Sequence, residues 1–305
     1  MKNKKSNFFK KYIAFLIALC GLIAMCEYAT RPNKPFYAEE SNSKDVLFFG
    51  TSFCYCTYDP AIFSEYGIES YNMGKAQQPI IWTYYMMKDA LKHQRPSLII
   101  LDPYAVTYPD KKMDSIDQGI ANTNFDSMKY SAISLEGAKE NVPWNRFLEF
   151  VFPIIRWHSN PYMIDRVGKD QVRDPERGYI RFIDAGEAGR PSESDLADEE
   201  IELLDDISYK YLNAMYDLSV ETGAELAVIR SPFPLWGNHQ FNAVQQWAKE
   251  KNVEYLDLTH FHDEIGIDYS KDTLDGNHLN ESGADKVSRY IASWMIENNK
   301  LISER

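Results

Sequence analysis

The sequence predicts an α/β domain with a parallel sheet, carried behind an apolar N-terminal helix. Three observations predict it. Apolar runs of strand length recur along the chain, each bounded by Gly, Pro or polar residues. Stretches with a helical apolar period separate them, and strand–helix alternation of this kind implies a parallel sheet covered on both faces. A basic flank precedes an uncharged run near the start.

The chain has 305 residues, 44% hydrophobic and 26% charged, which is globular composition and excludes a disordered or collagen-like chain. Its formal net charge is −12, although the five lysines of the first 26 residues meet no acid there, so the remainder is more acidic still. Such a surface repels phosphate backbones, and nucleic acid is not expected as a partner. Four cysteines are too few for a disulfide framework.

Residues 1–11 form the basic flank, with Lys2, Lys4, Lys5, Lys10 and Lys11. Residues 12–28 read as a signal-anchor helix, lysines inside and body outside; a cleaved signal peptide is the alternative. Either way the body is expected outside the cytosol. Residues 29–44, rich in Pro, Asn, Ser and charge, read as a tether. The domain proper is expected over 45–305.

Val46 to Phe49, ending at Gly50, is the first strand. Ile68 to Asn72, closed by Gly74, is the second. Ile80 to His93 carries a helical stripe through positions 80, 84, 87 and 91. Leu98 to Leu101 is the third strand, and Leu226 to Ile229 and Val253 to Leu258 are the fourth and fifth. Helices are expected over Ala197 to Thr222, capped by Gly223, over Phe241 to Lys251, and over Ser282 to Asn298. Residues 107–197 exceed any ordinary loop and read as an insertion, a partly helical cap beside the active face.

Ligands of parallel sheets bind at the carboxyl ends of the strands, so chemistry is sought just after each one. Ser52 follows the first strand directly. Asp275-Gly276-Asn277-His278 lies just before the last helix, at a spacing that lets the carboxylate reach the imidazole Nδ1–H and leaves Nε2 as a base for a hydroxyl. Cys54 and Cys56 read as buried small residues, since Cys-x-Cys is too close for an unstrained disulfide. His260, His262 and Asp263 read as a solvated loop, and no metal or cofactor is expected. The acidic runs from Asp195 to Glu202 and at Asp205-Asp206 read as an exposed helix face.

Taken together, Gly50-Thr51-Ser52, Tyr71-Asn72-Met73-Gly74 and Asp275-Gly276-Asn277-His278 resemble the blocks of the SGNH/GDSL hydrolases, a superfamily of serine esterases and acyltransferases. The resemblance covers residues 45–106 and 224–298 and implies a flavodoxin-like three-layer α/β/α fold with strand order 2-1-3-4-5. It implies Ser52 as nucleophile, His278 as general acid/base and Asp275 as its orienting carboxylate. The oxyanion hole would come from the Ser52 and Gly74 N–H groups. The chain departs from the family at Thr51, where Asp is usual, and after the third strand. There Asp102-Pro103-Tyr104 stands where Gly-x-Asn is expected, leaving Asn72 or Tyr104 as alternative oxyanion donors. Outside the resemblance, His158 in the apolar part of the insertion is a candidate for the substrate pocket, with a structural role as the alternative. The resemblance implies an esterase or O-acyltransferase acting on an ester; with the extracytoplasmic location read from the N-terminus, an O-acetyl group of a cell-envelope glycan is the expected substrate. The alternative is an inactive SGNH-like surface protein that binds glycan or a membrane partner.

Overall fold

The structure, a computed structural model, describes residues 2–30, 35, 37, 43–108, 118–128, 130–157, 176–232 and 236–301. In chain order it runs α1 (Lys2–Thr30), β1 (Val46–Phe49), α2 (Ser52–Tyr55), α3 (Pro60–Glu65), β2 (Ser70–Asn72), α4 (Ile80–Ala90) and β3 (Leu98–Leu101). A 3-10 turn (Pro103–Thr107) leads to α5 (Gln118–Phe125), α6 (Ala132–Asn141), α7 (Trp144–Val151), α8 (Pro153–Trp157) and α9 (Glu193–Leu196). Then come α10 (Asp206–Thr222), β4 (Glu225–Arg230), α11 (Asn238–Lys251), β5 (Glu254–Asp257), α12 (His262–Ile265) and α13 (Glu281–Glu297).

Five parallel strands form one sheet in the order β2-β1-β3-β4-β5. Successive strand residues point to opposite faces, and here both faces are covered. Leu47, Phe49, Ile99, Leu101, Leu226 and Val228 pack into one core, beside the apolar faces of α4, α10 and α11. Val46, Phe48, Leu98, Ile100, Ala227 and Ile229 pack into the other, against Phe63 of α3 and Val287, Ile291 and Met295 of α13. Double burial explains why the strands read as continuous apolar runs rather than alternating ones. Each large side chain so buried contributes ~1.5–3 kcal/mol.

Several boundaries differ from expectation. The last long helix before β4 begins at Asp206, not Ala197. The Asp205 carboxylate caps it, accepting from the N–H groups of Ile207 and Ser208. The acidic stretch 197–204 is therefore turn and irregular chain between the short α9 and α10 rather than a helix face. Gly223 ends α10 at φ +74°, as its position predicts. At the N-terminus one helix runs through both the basic flank and the apolar segment. Most of the expected tether lies outside the described residues. Tyr37 within it is buried, donates to Asp89 at 2.5 Å and stacks on His93.

The described residues of the insertion up to Trp157 form a second helical layer on α4. α6 lies on the outer face of α4, and Gly137 is why it comes so close: a Cβ there would meet Tyr85 Cγ at 2.8 Å. Trp82 of α4 is thereby buried on both sides, with its ring edge-on to Phe125 and Phe150 and its indole N–H donating to the Asn124 carbonyl at 2.9 Å.

Candidate active site

Ser52 stands at the carboxyl edge of the sheet because β1 ends in a tight turn. A Cβ on Gly50 would lie 2.8 Å from Cys54 Cβ and 2.9 Å from Asp102 Cβ, so only glycine lets β1, β3 and the turn approach this closely. Thr51 caps α2, its hydroxyl accepting from the Phe53 N–H at 3.3 Å. This is the local use of the residue that stands where the family has Asp. Cys54 and Cys56 are buried free thiols behind the turn, and burial pushes the Cys56 thiol up to about 12, far from a nucleophilic thiolate at neutral pH.

The second loop arrives from 226 residues away. His278 Nε2 lies 2.9 Å from Ser52 Oγ, and His278 Nδ1 lies 2.9 and 3.1 Å from the two Asp275 oxygens. Asp275 is itself held by the loop: its Oδ1 accepts from the Asn277 and His278 N–H groups at 3.0 and 2.9 Å. Gly276 makes the turn possible at φ +79°. Burial pushes the Asp275 carboxyl upward, but the hydrogen bonds from His278 and from the two N–H groups outweigh it and hold the pKa below the ordinary value. An ionised Asp275 fixes the Nδ1–H tautomer, so Nε2 accepts from the Ser52 hydroxyl. The structure thus brings together Ser52, Asp275 and His278, three residues named from sequence.

Aromatic rings line the same site, and the sequence pattern did not single them out. Phe53 stacks on the His278 imidazole at 4.8 Å and 19°. Phe182 meets that imidazole edge-on at 6.3 Å, and Trp236 stands edge-on to Phe53 at 5.9 Å. Phe182 belongs to the end of the insertion, which crosses the site as a strap. Asn72 N–H donates to the Arg177 carbonyl at 2.9 Å and Ile180 N–H to the Tyr55 carbonyl at 3.0 Å. Further along, Glu281 N–H donates to the Phe182 carbonyl and Gly186 N–H to the Thr273 carbonyl, both at 2.7 Å. The strap therefore joins the edge of β2 and the Ser52 turn to the Asp275–His278 loop.

The oxyanion side differs from the expectation. No acceptor among the described residues takes the Ser52 N–H, whereas the Gly74 N–H donates to Asn72 Oδ1 at 3.0 Å. The Asn72 amide is buried and donates to the carbonyls of Cys54 and Tyr58 at 3.0 and 2.9 Å. It braces the turn from behind and does not reach into the site. Tyr104 does not reach in either: it is buried under Phe53 and Phe241, and its hydroxyl accepts from Arg230 Nε at 3.3 Å. Asp102, in place of the family's glycine, is fully buried. It accepts from Ser231 Oγ at 2.6 Å and from the Tyr104 and Ser231 N–H groups at 3.2 Å. Burial raises its carboxyl to about 6 against the pull of those bonds and of Arg230. Tyr108 is closer to the site, hydrogen-bonded to Thr51 and pushed up to about 12 by burial.

The remaining expectations fall elsewhere. His158 lies outside the described residues. His262 is buried and packed, its Nδ1 2.6 Å from the Thr259 carbonyl, while Asp263 pairs with Arg190 at 2.7 Å. Among the described residues, Asp198, Glu200 and His239 bring ligand-type atoms within 4.8 Å of one another. His239 Nε2 is 2.8 Å from Asp198 Oδ2, which raises the imidazole pKa, while the Glu200 N–H first and then His239 lower that of the Asp198 carboxyl.

Five parallel strands in this order, with the serine after β1 facing an Asp-x-x-His before α13, settle the architecture. This sheet order and this placement of the serine and histidine are those that the resemblance to the SGNH/GDSL hydrolases implies. No family model and no curated protein matches it. Among solved structures it is similar to a putative acylhydrolase from Bacteroides fragilis NCTC 9343, at 13% identity and TM-score 0.40 over 91% of this chain and 95% of that one. A GDSL-like lipase from Bacteroides thetaiotaomicron VPI-5482 gives 12% identity and TM-score 0.41, over 86% of this chain and 93% of that one. A gut microbial diltiazem-metabolizing enzyme gives 11% and 0.31, over 88% of this chain and 48% of that one. These likenesses are remote; the functional reading rests on the site's own geometry.

Proposed function

We propose that the protein is an SGNH/GDSL-type serine esterase or O-acyltransferase, held outside the cytosol by α1. The observation that carries this is the 2.9 Å approach of Ser52 Oγ to His278 Nε2, with the imidazole braced from behind by Asp275. In the proposed cycle Ser52 Oγ attacks the ester carbonyl carbon while its proton passes to Nε2. The carbonyl electron pair moves to oxygen, and the Ser52 N–H, the donor left uncommitted, receives the oxyanion. Gly74 N–H joins it only by sharing or releasing Asn72 Oδ1. Collapse expels the alkoxide, which takes the proton from Nε2 and leaves acyl-Ser52. Water or an acceptor hydroxyl then repeats the sequence in reverse roles.

The aromatic surround of Phe53, Phe182 and Trp236 supports an acyl or sugar-face contact beside the nucleophile. A cell-envelope glycan carrying O-acetyl groups is the substrate proposed from the extracytoplasmic location. That location rests on the 22-residue apolar stretch Asn7–Tyr28 and on five lysines before Tyr12, three ahead of the stretch and two in its first turns.

A second reading is a non-catalytic glycan or membrane-partner binding domain. The commitment of Asn72 and Tyr104 to the fold favours it. A fluorophosphonate probe separates the two. The full-length protein is expected to label at Ser52 and to turn over an aryl acetate. Ser52→Ala is expected to lose labelling and at least ~10³-fold in turnover with the fold intact. Unlabelled wild type would establish the binding reading instead.

A further inference from the structure

The pair α7–α8 is apolar on two sides. Phe150 is buried in the core against Trp82 and Phe125, and Phe147 packs beside it. Trp144 and Leu148, one turn apart on α7, Phe152 at the C-cap of α7 and Ile155 of α8 turn outward, 70%, 39%, 45% and 42% exposed. A stripe of this size on a chain of net charge −12 is unusual for a water-facing surface.

Its position points to what covers it. α8 packs against α1. Among the described side chains of α1, those of 7–25 and Tyr28 are exposed while Cys26 and Glu27 near its C-terminal end are not, so the contact lies at that end. The apolar stretch Asn7–Tyr28 has 22 residues, about 33 Å of helix, close to the thickness of a hydrocarbon core. A bilayer around α1 therefore ends at Tyr28, level with α8. Tryptophan favours that boundary because its ring is apolar and its N–H polar.

We infer that α7–α8 is an interfacial anchor. Its Trp144–Leu148–Phe152 stripe lies in the outer headgroup layer of the membrane that α1 spans, holding the catalytic domain flat against lipid. The inference rests on the reading of α1 as a membrane anchor. An interfacial helix pair buries apolar surface in the headgroup–acyl boundary without crossing it, which suits helices too short to span.

The test uses the full-length chain in phosphatidylcholine vesicles, with and without lipid brominated near the top of its acyl chains. The emission of wild type minus that of Trp144→Phe isolates Trp144. Brominated lipid is expected to quench this difference signal by roughly half or more, as for a side chain seated at the interface. Leu148→Trp is expected to add a second quenched signal. Carbonate extraction of the same vesicles is read alongside. A chain released by carbonate overturns the anchor reading and this inference together. A chain retained by carbonate with Trp144 unquenched overturns this inference alone. Trp144 shielded in native membranes but unquenched in pure lipid replaces the lipid surface with a protein partner.

Discussion

On one side of Ser52 the Asp275–His278 loop forms a chain of hydrogen bonds that ends on the serine hydroxyl. On the other side Gly74, Asn72, Asp102 and Tyr104 spend their polar groups on the fold: on the carbonyls of the turn, on Ser231 and on Arg230. The acid–base half and the oxyanion half of one site have thus followed different constraints. A proton relay needs three groups in line and tolerates little variation in them. Oxyanion stabilisation accepts any donor near 3 Å from the developing charge, so one donor can be lost to structure while others remain.

The largest effect expected from this comparison is on the intact half. Asp275→Asn removes the carboxylate that fixes the His278 tautomer and is expected to lower aryl acetate turnover by roughly 10³–10⁴-fold. A loss below tenfold would break the view of Asp275 as the orienting group. On the oxyanion half, the raised carboxyl of Asp102 should appear as pH-dependent stability. Its folded pKa of about 6 exceeds the unfolded value of 3.8, so between these pH values the native state holds a proton that the unfolded state has lost. Stability therefore falls as pH rises from about 4 to 6, by about 3 kcal/mol from this group. Asp102→Asn is expected to remove that fall, read as Tm against pH for both proteins; parallel curves would contradict it.

Gly74→Ala tests how closely the two halves meet. The new Cβ would lie 2.9 Å from the Thr51 carbonyl oxygen and 2.9 Å from the Tyr55 nitrogen, so the turn must shift. A loss of about 1–3 kcal/mol by chemical denaturation is expected, accompanied by lower turnover. Unchanged stability would mean the turn yields freely. The smallest effect belongs to Tyr104→Phe. The hydroxyl faces Arg230 rather than the site, so turnover should stay within about twofold, with about 1 kcal/mol lost from the broken hydrogen bond. A hundredfold fall would restore Tyr104 as an oxyanion donor and sharpen the comparison in the opposite direction.

How much of this was legible follows the range of the forces involved. β1, β3 and β4 are apolar on both faces, so composition alone betrays them. Ser52 and Asp275–His278 sit at points where topology puts chemistry, and their local spacing predicts the Asp–His contact. The direction of the Asn72 amide was not legible, because its partners, the carbonyls of Cys54 and Tyr58, come to it only through the way the chain from Ser52 to Tyr58 folds back on β2. The start of α10 differs for a related reason: Leu204 continues the apolar period, but the Asp205 carboxylate caps the helix, which begins only at Asp206. Phe182 carried no signal, since nothing in its neighbourhood shows that it returns to the imidazole.

The strap has a consequence for how the molecule is made. Residue 52 leaves the ribosome long before residue 278, and between them the chain must lay down the α5–α8 layer and then thread Arg177 to Gly186 past β2 and the histidine loop. Gly178 shows how tight that passage is: a Cβ there would fall 1.8 Å from the Asn72 carbonyl oxygen. Assembly of the Ser52–His278 contact is therefore a late event in folding, and replacing this segment with an unrelated one would unclasp the centre rather than retune it.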